Sequence, residues 1–110
     1  MTVMVTGATG HLGVNLVHEL VRRGRRVRVL IHEHDRGLEG LEVERVRGDV
    51  RDLPSLRAAF EGAEVLYHLA GVISIDGERR GLVPAVNVEG AAHAAQAALE
   101  QGVRRMIHFC

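Results

Sequence analysis

Three glycines at every third position, directly after an apolar segment, constrain this chain more than any other feature. They are Gly7, Gly10 and Gly13, and the apolar segment is Val3-Met4-Val5. In such a pattern the first glycine permits a tight turn, the second lets a ligand approach the backbone, and the third lets the next helix pack closely on the strand. The pattern predicts a strand, a turn and a helix whose N-terminal amides favour an anion.

The residues after the glycines complete a strand-helix-strand unit. Leucines recur there at helical spacing, at Leu12, Leu16 and Leu20. Gly24 ends the predicted helix of residues 11–23, and an apolar run at 27–31 predicts the second strand. The unit has the length of a βαβ unit, about 30 residues. A glycine-rich turn without a ligand is the alternative, but this context favours a site for the pyrophosphate of a dinucleotide.

Composition excludes several classes of protein. The chain has 110 residues, 46% hydrophobic and 25% charged, which suits one globular domain. Its formal net charge of zero argues against nucleic acid or an anionic membrane as the main partner. No apolar run reaches the roughly 18 residues that span a bilayer, and the first residues predict a strand rather than a targeting peptide. Cys110 is the only cysteine, so we expect no intrachain disulfide and a cytoplasmic location.

The rest of the chain alternates between extended and helical patterns. We predict a third strand at about 43–47, a helix from 53 with Asp52 as its N-cap, a fourth strand at 65–71, a helix over about 83–101 and a fifth strand at 105–110. Alternating elements predict a parallel, doubly wound sheet, and right-handed crossovers predict the strand order 3-2-1-4-5. The expected fold is an α/β Rossmann-type domain over residues 1–110, incomplete at its C-terminal end.

The end of the second strand bears on the choice of cofactor. In a dinucleotide-binding fold an acidic residue there bonds the ribose 2′-hydroxyl of NAD. Here Ile31 and His32 hold the critical positions. Glu33 or Asp35 could reach back to a hydroxyl, whereas Arg36 or protonated His32 could meet a 2′-phosphate. The pattern leaves both cofactors open and slightly favours NADP.

Two further patterns have simpler explanations than ligand binding. His32 and His34 lie beside acidic residues, but alternate residues of an extended segment leave opposite sides, so we expect no metal site. Four arginines follow the first helix, at Arg22, Arg23, Arg25 and Arg26. With zero net charge and few aromatic residues, they indicate a solvated face rather than a nucleic-acid site.

Four motifs together give the chain a family resemblance. They are Thr6-Gly7-Ala8-Thr9-Gly10-His11-Leu12-Gly13, Gly48-Asp49-Val50-Arg51-Asp52, Tyr67-His68-Leu69-Ala70-Gly71 and Asn87-Val88-Glu89-Gly90. In this order and spacing the chain resembles the N-terminal part of an extended short-chain dehydrogenase/reductase, in the NAD-dependent epimerase/dehydratase group. The dihydroflavonol-4-reductase-like members are the nearest in appearance.

The resemblance implies roles for particular residues. The loop from Gly7 to Gly13 would hold the pyrophosphate, with Thr9, His11 and Leu12 among its contacts. Asp49 and Val50 would contact the adenine. Leu69, Ala70 and Gly71 would border the nicotinamide ribose, and Asn87 would shape the end of its helix. Simpler explanations are a turn or cap residue for Asp49 and an internal polar bond for Asn87.

One departure from the family pattern matters most. Family members use a Tyr-x-x-x-Lys pair in which the lysine lowers the pKa of the tyrosine. This chain has no lysine, and its only tyrosine, Tyr67, has Gly71 four residues later. We therefore expect the chain to bind NADP or NAD without catalysing by itself. The alternatives are a non-enzymatic dinucleotide-binding or redox-sensing module and a remnant held by a partner. We also expect self-association through an open edge at the fifth strand.

Overall fold

A computed structural model of the chain describes residues 1–69 and 89–108. The elements within these ranges are β1 (Thr2–Thr6), α1 (His11–Arg22), β2 (Arg26–Ile31), β3 (Glu44–Arg47), α2 (Leu53–Phe60), β4 (Val65–His68), α3 (Gly90–Glu100) and β5 (Arg105–His108). The five strands form one sheet in the order β3-β2-β1-β4-β5, and every neighbouring pair is parallel. The predicted α/β Rossmann-type fold and its strand order are confirmed.

The predicted element boundaries need small corrections. β4 ends at His68 rather than at residue 71, since the described residue that follows is outside the strand. The first part of the predicted last helix and residues 109–110 lie outside the described residues. Asp52 takes the N-cap position of α2, but its carboxylate makes no capping hydrogen bond. The first turn of α2 contains Pro54, which has no amide hydrogen that would need a cap.

Each face of the sheet has its own hydrophobic cluster, because successive side chains of a strand point to opposite faces. On one face, Val5 and Val29 pack with Val17 of α1. On the other face, Met4 and Leu66 pack with residues of α2 and α3 that include Leu56, Phe60 and Ala94. Helices on both faces are the arrangement that a parallel sheet requires.

The end of α1 shows how local sequence sets an element boundary. Gly24 has a φ of +76°, a conformation that side chains with a Cβ rarely adopt. Its N–H donates to the carbonyl of Val21 at 2.9 Å, and the N–H of Arg25 donates to the carbonyl of Leu20 at 3.0 Å. These bonds satisfy carbonyl groups that the last turn of a helix leaves unpaired. No side chain lies near the position that a Cβ of Gly24 would take.

β5 forms one edge of the sheet, and among the described residues the α1 face beside it is only partly covered. Tyr67 of β4 and Ile107 of β5 are half-buried there. They line a groove of about 540 Å³ between the sheet and the end of α1. Among the described residues, no helix has both the length and the apolar composition that crossing a membrane would require.

Candidate functional site

The chain leaves β1 through the glycine turn that the sequence predicts. Gly7 has a φ of +72°, in the left-handed region that favours glycine. The N–H of Gly10 donates to the carbonyl of Gly7 at 3.2 Å, which closes the turn. α1 begins at His11, so this turn delivers the backbone directly to a helix N-terminus at the carboxyl end of the sheet. Open parallel sheets bind their ligands at that end.

Packing among the described residues requires glycine at position 13 but not at position 10. A Cβ on Gly13 would lie 2.0 Å from the carbonyl oxygen of Gly7, which is impossible without moving the backbone. Gly13 therefore lets α1 pack against the turn, as predicted. A Cβ on Gly10 would meet its nearest neighbour, the same oxygen, at an ordinary 3.5 Å, and Gly10 has a φ of −74°. Packing within the described part of the chain thus leaves room for a side chain at Gly10.

The N-terminus of α1 has the electrostatic character of an anion site. Within residues 1–69 and 89–108 no side chain caps it, and its first turn carries no acidic residue. The first amides of a helix have no partner within the helix, and the helix dipole places partial positive charge there. Thr9 is half-buried, and His11 and Leu12 are exposed, with Leu12 showing 51% of its surface. An apolar side chain this exposed beside free amides suits contact with a ligand.

The carboxyl ends of β2 and β3 form a second part of the candidate site, at the same edge of the sheet. Nε2 of His32 lies 3.2 Å from Oδ2 of Asp49, so the structure brings these two predicted site residues together. Arg51 donates to both carboxylate oxygens of Asp49 through its side chain, at 3.2 and 2.9 Å. These hydrogen bonds from Arg51 lower the pKa of Asp49, and the charge of His32 lowers it further, whereas burial raises it. Asp49 is therefore ionised and already paired before any ligand arrives.

The remaining predicted site residues are more scattered. Arg36 lies on the exposed loop after β2. Within the described ranges it forms no hydrogen bond or ion pair with His32 or Asp49. Asp35 pairs with Arg45 at 3.0 Å. The N–H of Leu69 donates to the carbonyl of Thr6 at 3.1 Å, which places Leu69 beside the glycine turn. Ala70, Gly71 and Asn87 lie outside the described residues.

Sequence reasoning missed the residues that hold the loop after β3. The hydroxyl of Ser55 accepts from the N–H of Asp49 and donates to the carbonyl of Asp49, each at 3.1 Å. Nδ1 of His93 lies 2.9 Å from the carbonyl oxygen of Val50. A Cβ on Gly90 would lie 3.0 Å from Cγ2 of Val50. The sequence has no signal for these contacts, because His93 is 43 residues away from Val50.

A buried histidine lies at the end of β4. His68 has no exposed surface, and its Nδ1 is hydrogen-bonded to the hydroxyl of Thr6 at 2.7 Å. Its ring centroid is 5.1 Å from that of His108 on β5. Burial lowers the pKa of His68 to about 4, and the charge of His108 contributes in the same direction. His68 is therefore neutral at physiological pH. Its Nε2 has no hydrogen-bond partner among the residues that the structure describes.

The predicted absence of a metal site concerns the histidines and acids after β2. The described ranges contain no group of three or more histidine, cysteine or acidic side chains close enough to hold an ion. His32 contacts Asp49 instead, and the N–H of Arg36 donates to Nδ1 of His34 at 3.3 Å. His32 and His34 thus make contacts in the loops that follow β2 and β3.

Comparison with known proteins identifies the fold's relatives. A relative from Methylococcus capsulatus, sterol demethylase protein B, is 51% identical over 111 aligned residues, which cover 98% of this chain and 34% of that protein. A short-chain dehydrogenase/reductase superfamily protein from Agrobacterium tumefaciens, solved with bound NAD, is 32% identical with a TM-score of 0.85, covering 98% of this chain and 32% of that one. The UDP-glucose 4-epimerase of Thermus thermophilus, in complex with NAD, is 29% identical with a TM-score of 0.85, covering 96% and 36%.

The chain spans about a third of the length of the curated relatives it matches. The resemblance to extended short-chain dehydrogenases/reductases that the four motifs indicate is confirmed. The model of the 3-beta hydroxysteroid dehydrogenase/isomerase family matches residues 4–110, which is nearly the entire sequence. This chain therefore belongs to the 3-beta hydroxysteroid dehydrogenase/isomerase family.

Proposed function

We propose that residues 1–110 are the NAD(P)-binding domain of an oxidoreductase or epimerase of the short-chain dehydrogenase/reductase type. The chain binds the dinucleotide at the carboxyl edge of its sheet and does not catalyse by itself. The two solved relatives named above are described with NAD, which supports this class of ligand. The absence of lysine supports catalytic silence, because the Tyr-x-x-x-Lys pair that the family resemblance implies cannot be formed.

The observation that carries the proposal is the glycine turn at the start of α1. Gly7 bends the backbone and Gly13 lets the helix close on the turn, so the N-terminus of α1 lies directly against the turn. Gly10 keeps that surface free of a side chain although the protein itself would accept one. We propose that the pyrophosphate occupies this space, with Thr9, His11 and Leu12 around it and Leu69 on the nicotinamide side. The predicted contacts of Ala70, Gly71 and Asn87 complete this part of the proposal.

At the other end of the site, we propose that Asp49 and Val50 contact the adenine and that the ribose lies beside His32. This corner slightly favours NADP over NAD. The carboxylate that contacts His32 at the end of β2 is Asp49, and it is already paired with Arg51. A 2′-phosphate beside His32 and Arg51 would meet a neutral or positive cluster, with Arg36 on the adjoining loop.

The proposal also covers the location of the chain and its self-association. The single cysteine and the lack, in residues 1–110, of an apolar run long enough to span a bilayer support a cytoplasmic location. Among the described residues β5 is an outer strand of the sheet and carries the half-buried Ile107, which supports self-association of the chain.

The test of the proposal is a fluorescence titration of NADH and NADPH with the purified chain and two alanine variants. Gly10→Ala adds a methyl group at the proposed phosphate surface without an internal clash, so we expect dinucleotide affinity to fall at least about ten-fold, or about 1.4 kcal/mol. Its folding stability should change by less than about 0.5 kcal/mol, as for substitutions without a packing conflict.

Gly24→Ala is the matched control, because it changes the opposite end of α1. A Cβ there meets no neighbour but forces an L side chain into positive φ, so stability should fall by about 1 kcal/mol while affinity stays at the wild-type value. Failure of the wild-type chain to give a saturable signal with either nucleotide would refute the proposed function. Equal affinity of wild type and Gly10→Ala would refute the role of the turn.

A further inference from the structure

α3 contacts the loop after β3 at two points, and neither contact has a part in the function proposed above. The loop begins at Gly48, whose N–H donates to the carbonyl of Ile31 at 3.1 Å. It continues through Asp49, which lies beside His32. The loop thus forms one wall of the carboxyl edge next to the end of β2. Its shape decides what this wall presents to a ligand.

The first contact is a hydrogen bond from His93. Nδ1 of His93 lies 2.9 Å from the carbonyl oxygen of Val50. A carbonyl can only accept, so Nδ1 carries the hydrogen and donates it. His93 is half-buried and Val50 is buried, with 7% of its surface exposed. An unpaired carbonyl at such a place would be free to rotate the peptide toward water or another donor.

The second contact is a close approach at Gly90, one turn earlier on the same side of α3. A Cβ on Gly90 would lie 3.0 Å from Cγ2 and 3.2 Å from Cβ of Val50. The lack of a side chain at Gly90 therefore allows Val50 to lie directly against the helix. An alanine there would displace Val50 by a few tenths of an ångström.

Other contacts fix the neighbouring parts of this arrangement. Ser55 of α2 holds Asp49 through two hydrogen bonds. Arg57 of α2 forms an ion pair with Glu100 at the far end of α3, with Nε and Oε2 2.5 Å apart. The N–H of Arg51, on the same peptide as the Val50 carbonyl, donates to Oδ1 of Asp49 at 2.9 Å. His93 holds the carbonyl side of this peptide, and Gly90 sets how closely the Val50 side chain lies against α3.

We propose that His93 and Gly90 of α3 position the adenine wall, so that they set dinucleotide affinity without touching the ligand. This inference rests on the proposed function, because it takes the loop at Asp49 and Val50 as the adenine side of the site. His93 is a positioning residue that acts through the Val50 peptide.

The experiment measures the affinity of 5′-AMP, the adenine half of the dinucleotide, by calorimetry with the full chain. His93→Ala removes the donor, and we expect about five-fold weaker binding, the effect of one hydrogen bond to a buried group. His93→Asn should restore affinity to within about two-fold, because the asparagine amide nitrogen and Nδ1 of histidine are each two bonds beyond Cβ. Gln96→Ala is the control, since Gln96 lies on the exposed face of α3 and bonds only Glu100 among the described residues.

Gly90→Ala separates positioning from folding. Alanine is a better helix former than glycine, so the unfolding midpoint should stay the same or rise. We nevertheless expect weaker binding of 5′-AMP, because Val50 moves. A merely structural role would change stability and affinity in the same direction.

The possible outcomes distinguish this inference from the function on which it rests. If the wild-type chain binds neither NADH nor 5′-AMP, the proposed function fails. If the wild-type chain binds and His93→Ala binds equally well, or if His93→Asn is as weak as His93→Ala, the positioning role is overturned. Should His93→Ala fail to fold, His93→Asn and Gly90→Ala decide the question by the same comparison.

Discussion

Protonation of His68 should make the stability of this domain depend on pH in a range where most carboxylates do not titrate. The side chain has no exposed surface, and its pKa is lowered from 6.5 to about 4, mainly by burial and then by His108. Its Nδ1 is bonded to Thr6, and among the described residues no acceptor meets its Nε2. A proton added to this ring would therefore place a charge in a buried site whose described residues offer Nε2 no acceptor.

The sign and size of the effect follow from the two pKa values. In the unfolded chain His68 takes up a proton near pH 6.5, whereas in the folded chain it does so only near pH 4. Between these values the unfolded state binds more protons, so stability falls as the pH falls. The loss from this one group is about 2 kcal/mol between pH 7 and pH 5 and approaches about 3 kcal/mol below pH 4.

Urea unfolding followed by circular dichroism, at pH 7, 6 and 5 and at low protein concentration, measures this loss. The control is His68→Asn, in which the amide takes the place of Nδ1 beside Thr6 but cannot titrate. A uniform loss of stability in the variant carries no information, because a smaller side chain leaves a cavity. The slope decides: the difference between wild type and variant should shrink by about 2 kcal/mol from pH 7 to pH 5. Parallel profiles for the two proteins would refute the reasoning.

Three other predictions concern the glycine turn, the cofactor and the sheet edge. Gly13→Ala should lower the free energy of unfolding, measured in urea, by about 2 kcal/mol, because the new Cβ clashes with the backbone of the turn. The higher helix propensity of alanine offsets only part of this cost. Unchanged stability would contradict the close packing. NADPH should bind more tightly than NADH, and His32→Gln should reduce the ratio by about two- to five-fold in fluorescence titrations, whereas an unchanged ratio would exclude His32 from cofactor choice. The chain should associate at high concentration in sedimentation velocity, and Ile107→Arg should reduce this; a sharp monomer peak for wild type would contradict it.

The sequence alone determined the fold class, because its signals are local. Glycines at 7, 13 and 24 have the conformations or close contacts that their spacing predicts. Alternation of strands with helices, together with the handedness of crossovers, was sufficient for the order of all five strands. The glycine turn at the start of α1 was likewise identified from the sequence, since both of its ends lie within a few residues of each other.

Only the tertiary structure decided how the second part of the site is assembled. His32 and Asp49 are 17 residues apart, and Val50 and His93 are 43 residues apart. They meet because β2 and β3 are neighbours in the sheet and because α3 packs behind the loop that follows β3. No local propensity encodes such a contact, and the burial that lowers the pKa of His68 likewise depends on strands and helices far from it in sequence. Packing between distant segments therefore determined the contacts of Asp49 and Val50 and the lowered pKa of His68.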